Sequence, residues 1–156
     1  MALIAKYNKF LLTQMNGGID TTGGSTSGAA RVVDFDTDTI KVMLTTATYV
    51  PNAATQSTKV SVTNEVTGTG YTAGGATLAT KTVTDTTGTI TFDADDVTFT
   101  QNAAGFSNAR YAVIYKDTGT AATSTLVGWV DFQADKGNVA GDLILQWNVS
   151  GIVTWA

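Results

Sequence analysis

Thr39-Ile40-Lys41-Val42-Met43-Leu44-Thr45-Thr46 sets Ile40, Val42 and Leu44 against Lys41, Met43 and Thr45. Side chains of a β-strand point alternately to opposite faces, so this period of two reads as a half-buried strand, bounded downstream by Pro51-Asn52. The alternation recurs in Ala76–Thr84, Thr89–Asp93, Asp96–Thr100, Ala109–Asp117, Leu126–Gln133, Asp142–Val149 and Gly151–Trp155, which brings the total to eight strands. Gly-rich or Asp-rich turns separate them, among them Gly68-Thr69-Gly70, Asp117-Thr118-Gly119 and Ser150-Gly151. No helical period intervenes between these strands, which disfavours the βαβ crossovers of a parallel sheet. The expectation is an all-β protein, an antiparallel eight-stranded jelly-roll-like sandwich. The long connection Tyr49–Thr72 has few large apolar residues and could cross between sheets. Within it, Thr58–Val66 reads equally as a short helix or an edge strand.

Upstream the period changes. Leu3, Ile4, Tyr7, Phe10, Leu11 and Met15 recur at spacings of three and four between Ala2 and Met15, which predicts a short amphipathic N-terminal helix ended by Asn16-Gly17-Gly18. A helix of this length is marginal alone, so its apolar stripe must pack on something. The chain's own sheet is the first choice and a neighbouring subunit the second. Thr21 to Ala30 has no charge and no large apolar group, and predicts a flexible loop. The expected organisation is therefore an arm over 1–18, a linker over 19–35 and the sandwich over 36–156.

Composition removes most catalytic chemistry. The chain has neither His nor Cys, so it lacks an imidazole base, a thiolate nucleophile and the soft ligands of zinc or iron–sulfur sites. Thirty of its 156 residues are threonine and only 14% are charged, so hydroxyls must cover much of the surface. Nine basic against thirteen acidic residues give a net charge of −4, the wrong sign for a nucleic-acid surface. No apolar run approaches the length of a membrane span, and Met1-Ala2-Leu3-Ile4-Ala5-Lys6 lacks the order of a secretion signal. Neither nucleic acid nor membrane is expected as a partner, no cofactor is implied, and the chain is expected not to be an enzyme.

Asp34-Phe35-Asp36-Thr37-Asp38 opens like a calcium loop, but Thr39 and Thr45 stand where an EF-hand needs Gly and Glu. Asp93-Ala94-Asp95-Asp96 forms a second acidic cluster. Turn-forming Asp is the simpler reading of both, and the same surface setting argues against a glycosidase pair, whose acid needs burial. The tryptophans raise the alternative of a sugar-stacking platform on a tail- or fibre-associated adhesin. Strand parity places Trp147 with Leu143, Leu145 and Val149 on an apolar face, whereas Trp129 shares a face with Val127 and Asp131 and could point outward or to a partner subunit.

Four stretches together resemble a widespread family of small structural proteins of tailed bacteriophages. They are Tyr7-Asn8-Lys9-Phe10 to Asn16-Gly17-Gly18, Asp36-Thr37-Asp38-Thr39-Ile40-Lys41-Val42-Met43-Leu44, the block from Asn64-Glu65-Val66-Thr67-Gly68-Thr69-Gly70-Tyr71 to Leu78, and Ala109-Arg110-Tyr111-Ala112-Val113-Ile114-Tyr115-Lys116-Asp117-Thr118-Gly119-Thr120. The Asn64–Leu78 block is the most specific. Ile19–Val33 departs from the family, whose members tend to run directly from helix to strand. The family is similar in behaviour to capsid decoration, or cement, proteins. The resemblance implies a jelly-roll-like homotrimer on the outer surface of the virion head, bound to the major capsid protein, with no catalytic residues. Leu3, Ile4, Tyr7, Phe10, Leu11, Met15 and Trp129 are the candidate capsid or subunit contacts.

Overall fold

The computed structural model describes residues 5–8, 10, 14 and 32–155. Among them the strands are β1 (Ala5–Lys6), β2 (Ile40–Thr45), β3 (Ala76–Thr77), β4 (Thr82–Thr86), β5 (Thr89–Asp93), β6 (Val97–Phe99), β7 (Ala109–Lys116), β8 (Leu126–Lys136), β9 (Leu143–Leu145) and β10 (Val153–Trp155). They form a five-stranded sheet in the order β1-β8-β7-β2-β3, a three-stranded sheet β10-β5-β4 and a two-stranded sheet β6-β9. Every pairing is antiparallel, so the protein is all-β.

Each of the eight stretches with a period of two contains a strand. One of them, Ala76–Thr84, is broken into β3 and β4 around Thr80, which takes a left-handed φ of 50°. The N-terminal helix needs correction at its start. Ala5 and Lys6 are not helical but pair with Trp129 and Gly128 of β8, and the Tyr7 N–H donates to the Val127 carbonyl at 3.2 Å. The edge of β8 supplies partners for these backbone groups, which outweighs a short helix's weak propensity. Helical backbone is found at Asn8, Phe10 and Gln14. Leu3, Ile4, Leu11 and Met15, and most of the expected linker, lie outside the described residues. The last part of that linker is not loose: Phe35 stacks on Phe92 with ring centroids 4.4 Å apart, and the Val33 N–H donates to Gln14 Oε1 at 2.7 Å.

Strand β7 explains why the five-stranded sheet is buried on both faces. Its register with β2 puts Ala112 beside Leu44 and Ile114 beside Val42 on one face, and Val113 beside Met43 on the other. All six are buried. The second face is covered by the long connection 46–75, which does not simply cross between sheets but lies over this one. Tyr49 packs edge-on against Tyr111 at 6.2 Å, and the connection is clipped down by isolated bridges at Thr58↔Thr125 and Glu65↔Thr45. The stretch 58–66 is neither a helix along its length nor an edge strand: Lys59–Ser61 is a single 3₁₀ turn between these two isolated bridges. The connection ends at Gly75, where φ is +77° and a Cβ would stand 2.0 Å from the Val42 carbonyl oxygen. Only glycine lets β3 approach β2 so closely.

One core expectation fails. Val149 does not join Trp147 and Leu145 inside, because β9 stops at Leu145 and the chain turns at 148–151, leaving Val149 fully exposed.

Candidate functional site

Tyr7 and Phe10 are buried in the chain's own body, at 1% and 3% exposure. Between them the N-terminal segment braces two sheets. Tyr7 packs on Trp129 of β8, with ring centroids 4.7 Å apart. Phe10 reaches the other way, to Phe35 at 5.8 Å and to Trp155 of β10 at 5.9 Å. Lys6 adds a polar tie, donating from Nζ to the Thr154 carbonyl at 2.9 Å. Tyr7 and Phe10 are therefore internal packing residues, which corrects their expected place in a contact with a neighbour. Trp129 is half-buried beneath Tyr7 rather than pointing free.

The acidic clusters serve as turn supports. Asp34 Oδ1 accepts the N–H groups of Asp36 and Thr37, and hydrogen bonds from the Thr37 side chain and these N–H groups hold its carboxyl below the usual value. Asp38 pairs with Lys116 at 2.8 Å and accepts the Asp34 N–H. In the second cluster, Asp96 Oδ1 accepts the Trp147 N–H at 2.8 Å, the Asp95 carbonyl accepts Trp147 Nε1–H at 3.0 Å, and Asp95 Oδ2 accepts from the Thr80 hydroxyl. Among the described residues no group of three or more acidic side chains is gathered as a metal would require.

The Asn64–Leu78 block builds a polar knot over the sheet. Glu65 Oε1 accepts the Tyr71 O–H at 2.6 Å and the Gly74 N–H, while the Tyr71 oxygen accepts the Leu44 N–H at 3.0 Å. Tyr115 donates to the Gly74 carbonyl at 2.7 Å and accepts from Lys59 Nζ at 3.3 Å, which also sits 4.9 Å over its ring. Lys41 pairs with Asp117 at 3.0 Å. Burial keeps Tyr71 and Tyr115 protonated well above the ordinary tyrosine range, so neither is a base near neutrality. Burial opposes ionisation of Asp117, but the Gly119 N–H and Lys41 outweigh it and hold its carboxyl below the usual value. The knot fastens the 46–75 connection to β2 and β7 and offers no activated nucleophile.

Sequence reasoning missed Asn138. Its side chain is fully buried. Oδ1 accepts the Phe106 N–H at 2.9 Å, and Nδ2 donates to the carbonyls of Thr69 at 3.0 Å and Thr100 at 2.8 Å. The available signal lay in Gly105 and Gly70, where a Cβ would stand 2.0 Å and 2.7 Å from this amide.

Among the surface depressions of the described residues is a mainly apolar groove of about 430 Å³ between Phe10, Val33, Phe35, Val83, Ile90 and Trp155, with Gln14 as its polar lining residue. It is shallow and has no converging polar groups, unlike a small-molecule site. Among the described residues no helix is long and apolar enough to cross a membrane. Comparison of the chain with protein-family models, curated proteins and solved structures finds no match.

Proposed function

We propose that the chain is a non-enzymatic decoration (cement) protein of a tailed-bacteriophage virion, which binds the major capsid protein on the outer surface of the head as a homotrimer. Nucleic acid, membrane and cofactors have no part in this reading. The observation that carries it is that most of the acidic groups singled out from the sequence hold the fold; Asp93 is an exception, its Oδ1 buried without a hydrogen-bond partner. The carboxylates of Asp34, Asp38, Asp95, Asp96 and Glu65 each support a turn or a strand junction. The indoles pack within the chain: Trp147 is buried, and Trp129 and Trp155 are half-buried, Trp129 against Tyr7 and Trp155 against Phe10 and Phe35 at the wall of the apolar groove. A hydrolase would need a free acid pair and a glycan-binding adhesin an open indole. A scaffold that acts by contact needs neither.

The reading takes the body as a variant of the jelly-roll-like sandwich, one in which the hairpins β4–β5 and β7–β8 keep sequence neighbours adjacent, and takes the segment from Asn8 onward as its short helix. The stretch most specific for the family resemblance, Asn64–Leu78, is spent on the knot around Glu65 and Tyr71, which suits a structural protein. Such a protein stabilises a pressurised shell by binding only its assembled state, and many copies add avidity. Leu3, Ile4, Leu11 and Met15, together with surface around Trp129, are the proposed contacts.

Mass photometry of the purified chain and sedimentation with undecorated heads test the reading. A trimer that saturates the heads and raises their melting temperature is expected. A chain that ignores heads overturns it.

A further inference from the structure

Among the described residues the three-stranded sheet ends in an open edge. β4 pairs with β5 on one side only, and all five of its residues are exposed. Thr86 pairs with Thr89 across a two-residue turn in which Thr87 and Gly88 both have positive φ, 52° and 86°. This is the type I′ geometry, whose flanking pair exchanges both backbone hydrogen bonds. Counting back two residues at a time, Thr86, Thr84 and Thr82 direct their N–H and C=O groups to β5. Asp85 and Val83, and Lys81 before them, direct theirs outward, where no described residue meets them. Natural sheets blunt such edges with proline, a bulge or charge; β4 has neither proline nor bulge, and its one charge is Asp85, on the face shared with Val83, Ile90 and Phe92.

We infer that the β4 edge pairs with the β4 edge of a second copy of this chain, antiparallel about a two-fold axis at Val83. Registers centred on residues 82, 83, 84 or 85 pair outward hydrogen-bonding groups, and centring on 82 sets Lys81 against Val83. Centring on 85 sets Asp85 against its own copy, a like-charge pair, and centring on 84 sets Asp85 against Val83. Centring on 83 sets Val83 beside Val83 and Lys81 beside Asp85 at both ends of the contact, with Thr82 beside Thr84 on the opposite face. Both charged groups keep capacity for the new pair. Lys81 Nζ donates one hydrogen to the Asp38 carbonyl, and only Oδ1 of Asp85 is taken, by the Gly88 N–H. The pairing also extends the exposed row of Val83 and Ile90 across two molecules. Because the contact is two-fold, it joins two copies whether or not each belongs to a three-fold ring, and it does not rest on the decoration reading.

The chain lacks cysteine, so introduced thiols report the register directly. Thr82→Cys and Thr84→Cys are prepared as separate full-length proteins, mixed or kept apart, and oxidised mildly. The expected result is a disulfide-linked dimer in the mixture and little in either protein alone, since residues 82 and 84 of different copies then form a close, non-hydrogen-bonded pair. Adding Asp85→Lys to both proteins should cut the yield by about tenfold through like charges at two sites, and adding Lys81→Asp as well should restore it. A Thr84→Cys protein that cross-links chiefly with itself, or a mixture that yields no dimer while circular dichroism shows folded protein, overturns the inference. Head binding is measured separately, so failure here and failure of the decoration reading are told apart.

Discussion

The hydroxyl oxygens of Tyr7 and Tyr49 lie 2.7 Å apart in the core. Tyr49 gives its own proton to Gln56 Oε1 at 2.7 Å, so Tyr7 is the donor in the pair. The N-terminal segment is thereby fastened to the 46–75 connection as well as to β8. Tyr7→Phe leaves Tyr49 a buried acceptor short of one partner and should lower stability by about 1 kcal/mol, and Tyr7→Ala by about 3 to 5 kcal/mol through the cavity it leaves. Urea denaturation followed by tryptophan fluorescence measures both. An unchanged midpoint for Tyr7→Ala would show that the segment is not part of the core.

Stability should fall steeply on the alkaline side. Burial raises Tyr7, Tyr49, Tyr71 and Tyr115 above the ordinary value of 10.0. Below pH 10 these groups are protonated in both folded and unfolded chains, so their contribution is complete. Above pH 10 the unfolded chain releases protons first and gains the advantage. On the acid side Asp131 is held below 3.8, first by its bond with Arg110, and Asp34 and Asp117 are lowered too, so their contribution is present above pH 3.8 and lost below it. These carboxylates are largely solvated and the acid arm should be shallow. Thermal melts across pH, with tyrosinate absorbance read in parallel, should show ionisation of the buried tyrosines coinciding with unfolding.

Asn138→Ala should cost about 2 to 4 kcal/mol, because it strands one buried N–H and two carbonyls at once. Val149→Thr, at a fully exposed turn position, should change stability by less than about 0.5 kcal/mol. Denaturant midpoints of the two variants, compared directly, check that the buried amide matters where an exposed turn residue does not.

Thr45 is fully buried, and its hydroxyl has no hydrogen-bond partner. Thr45→Val keeps the shape and removes the unsatisfied group, so a gain of about 1 kcal/mol is expected. A loss in the same denaturation assay would mean that the hydroxyl has a partner in solution.

Thr87 holds a left-handed φ of 52° in the β4–β5 turn. Asparagine tolerates that region better than a β-branched residue, so Thr87→Asn should raise the melting temperature by a few degrees, from about 0.5 kcal/mol of relieved strain.

The strands were legible because each carries its own signal. Ile40, Val42 and Leu44 announce β2, and Tyr111, Val113 and Tyr115 announce β7, through a period that depends only on backbone geometry. The chemistry excluded by a chain without His or Cys was equally plain, since it follows from which side chains exist. Local signals reach no further than their own segment. Ala5 and Lys6 sit in a helical pattern, yet they pair with Trp129 and Gly128 because β8, more than a hundred residues away, has an edge to fill. The burial of Tyr7 and Phe10, the knot around Glu65 and the amide of Asn138 arise in the same way, from groups that meet only after the sheets have assembled. Hydrogen bonding and burial are balanced between distant segments rather than within each one, and where a segment's own preference is weak that balance assigns its conformation.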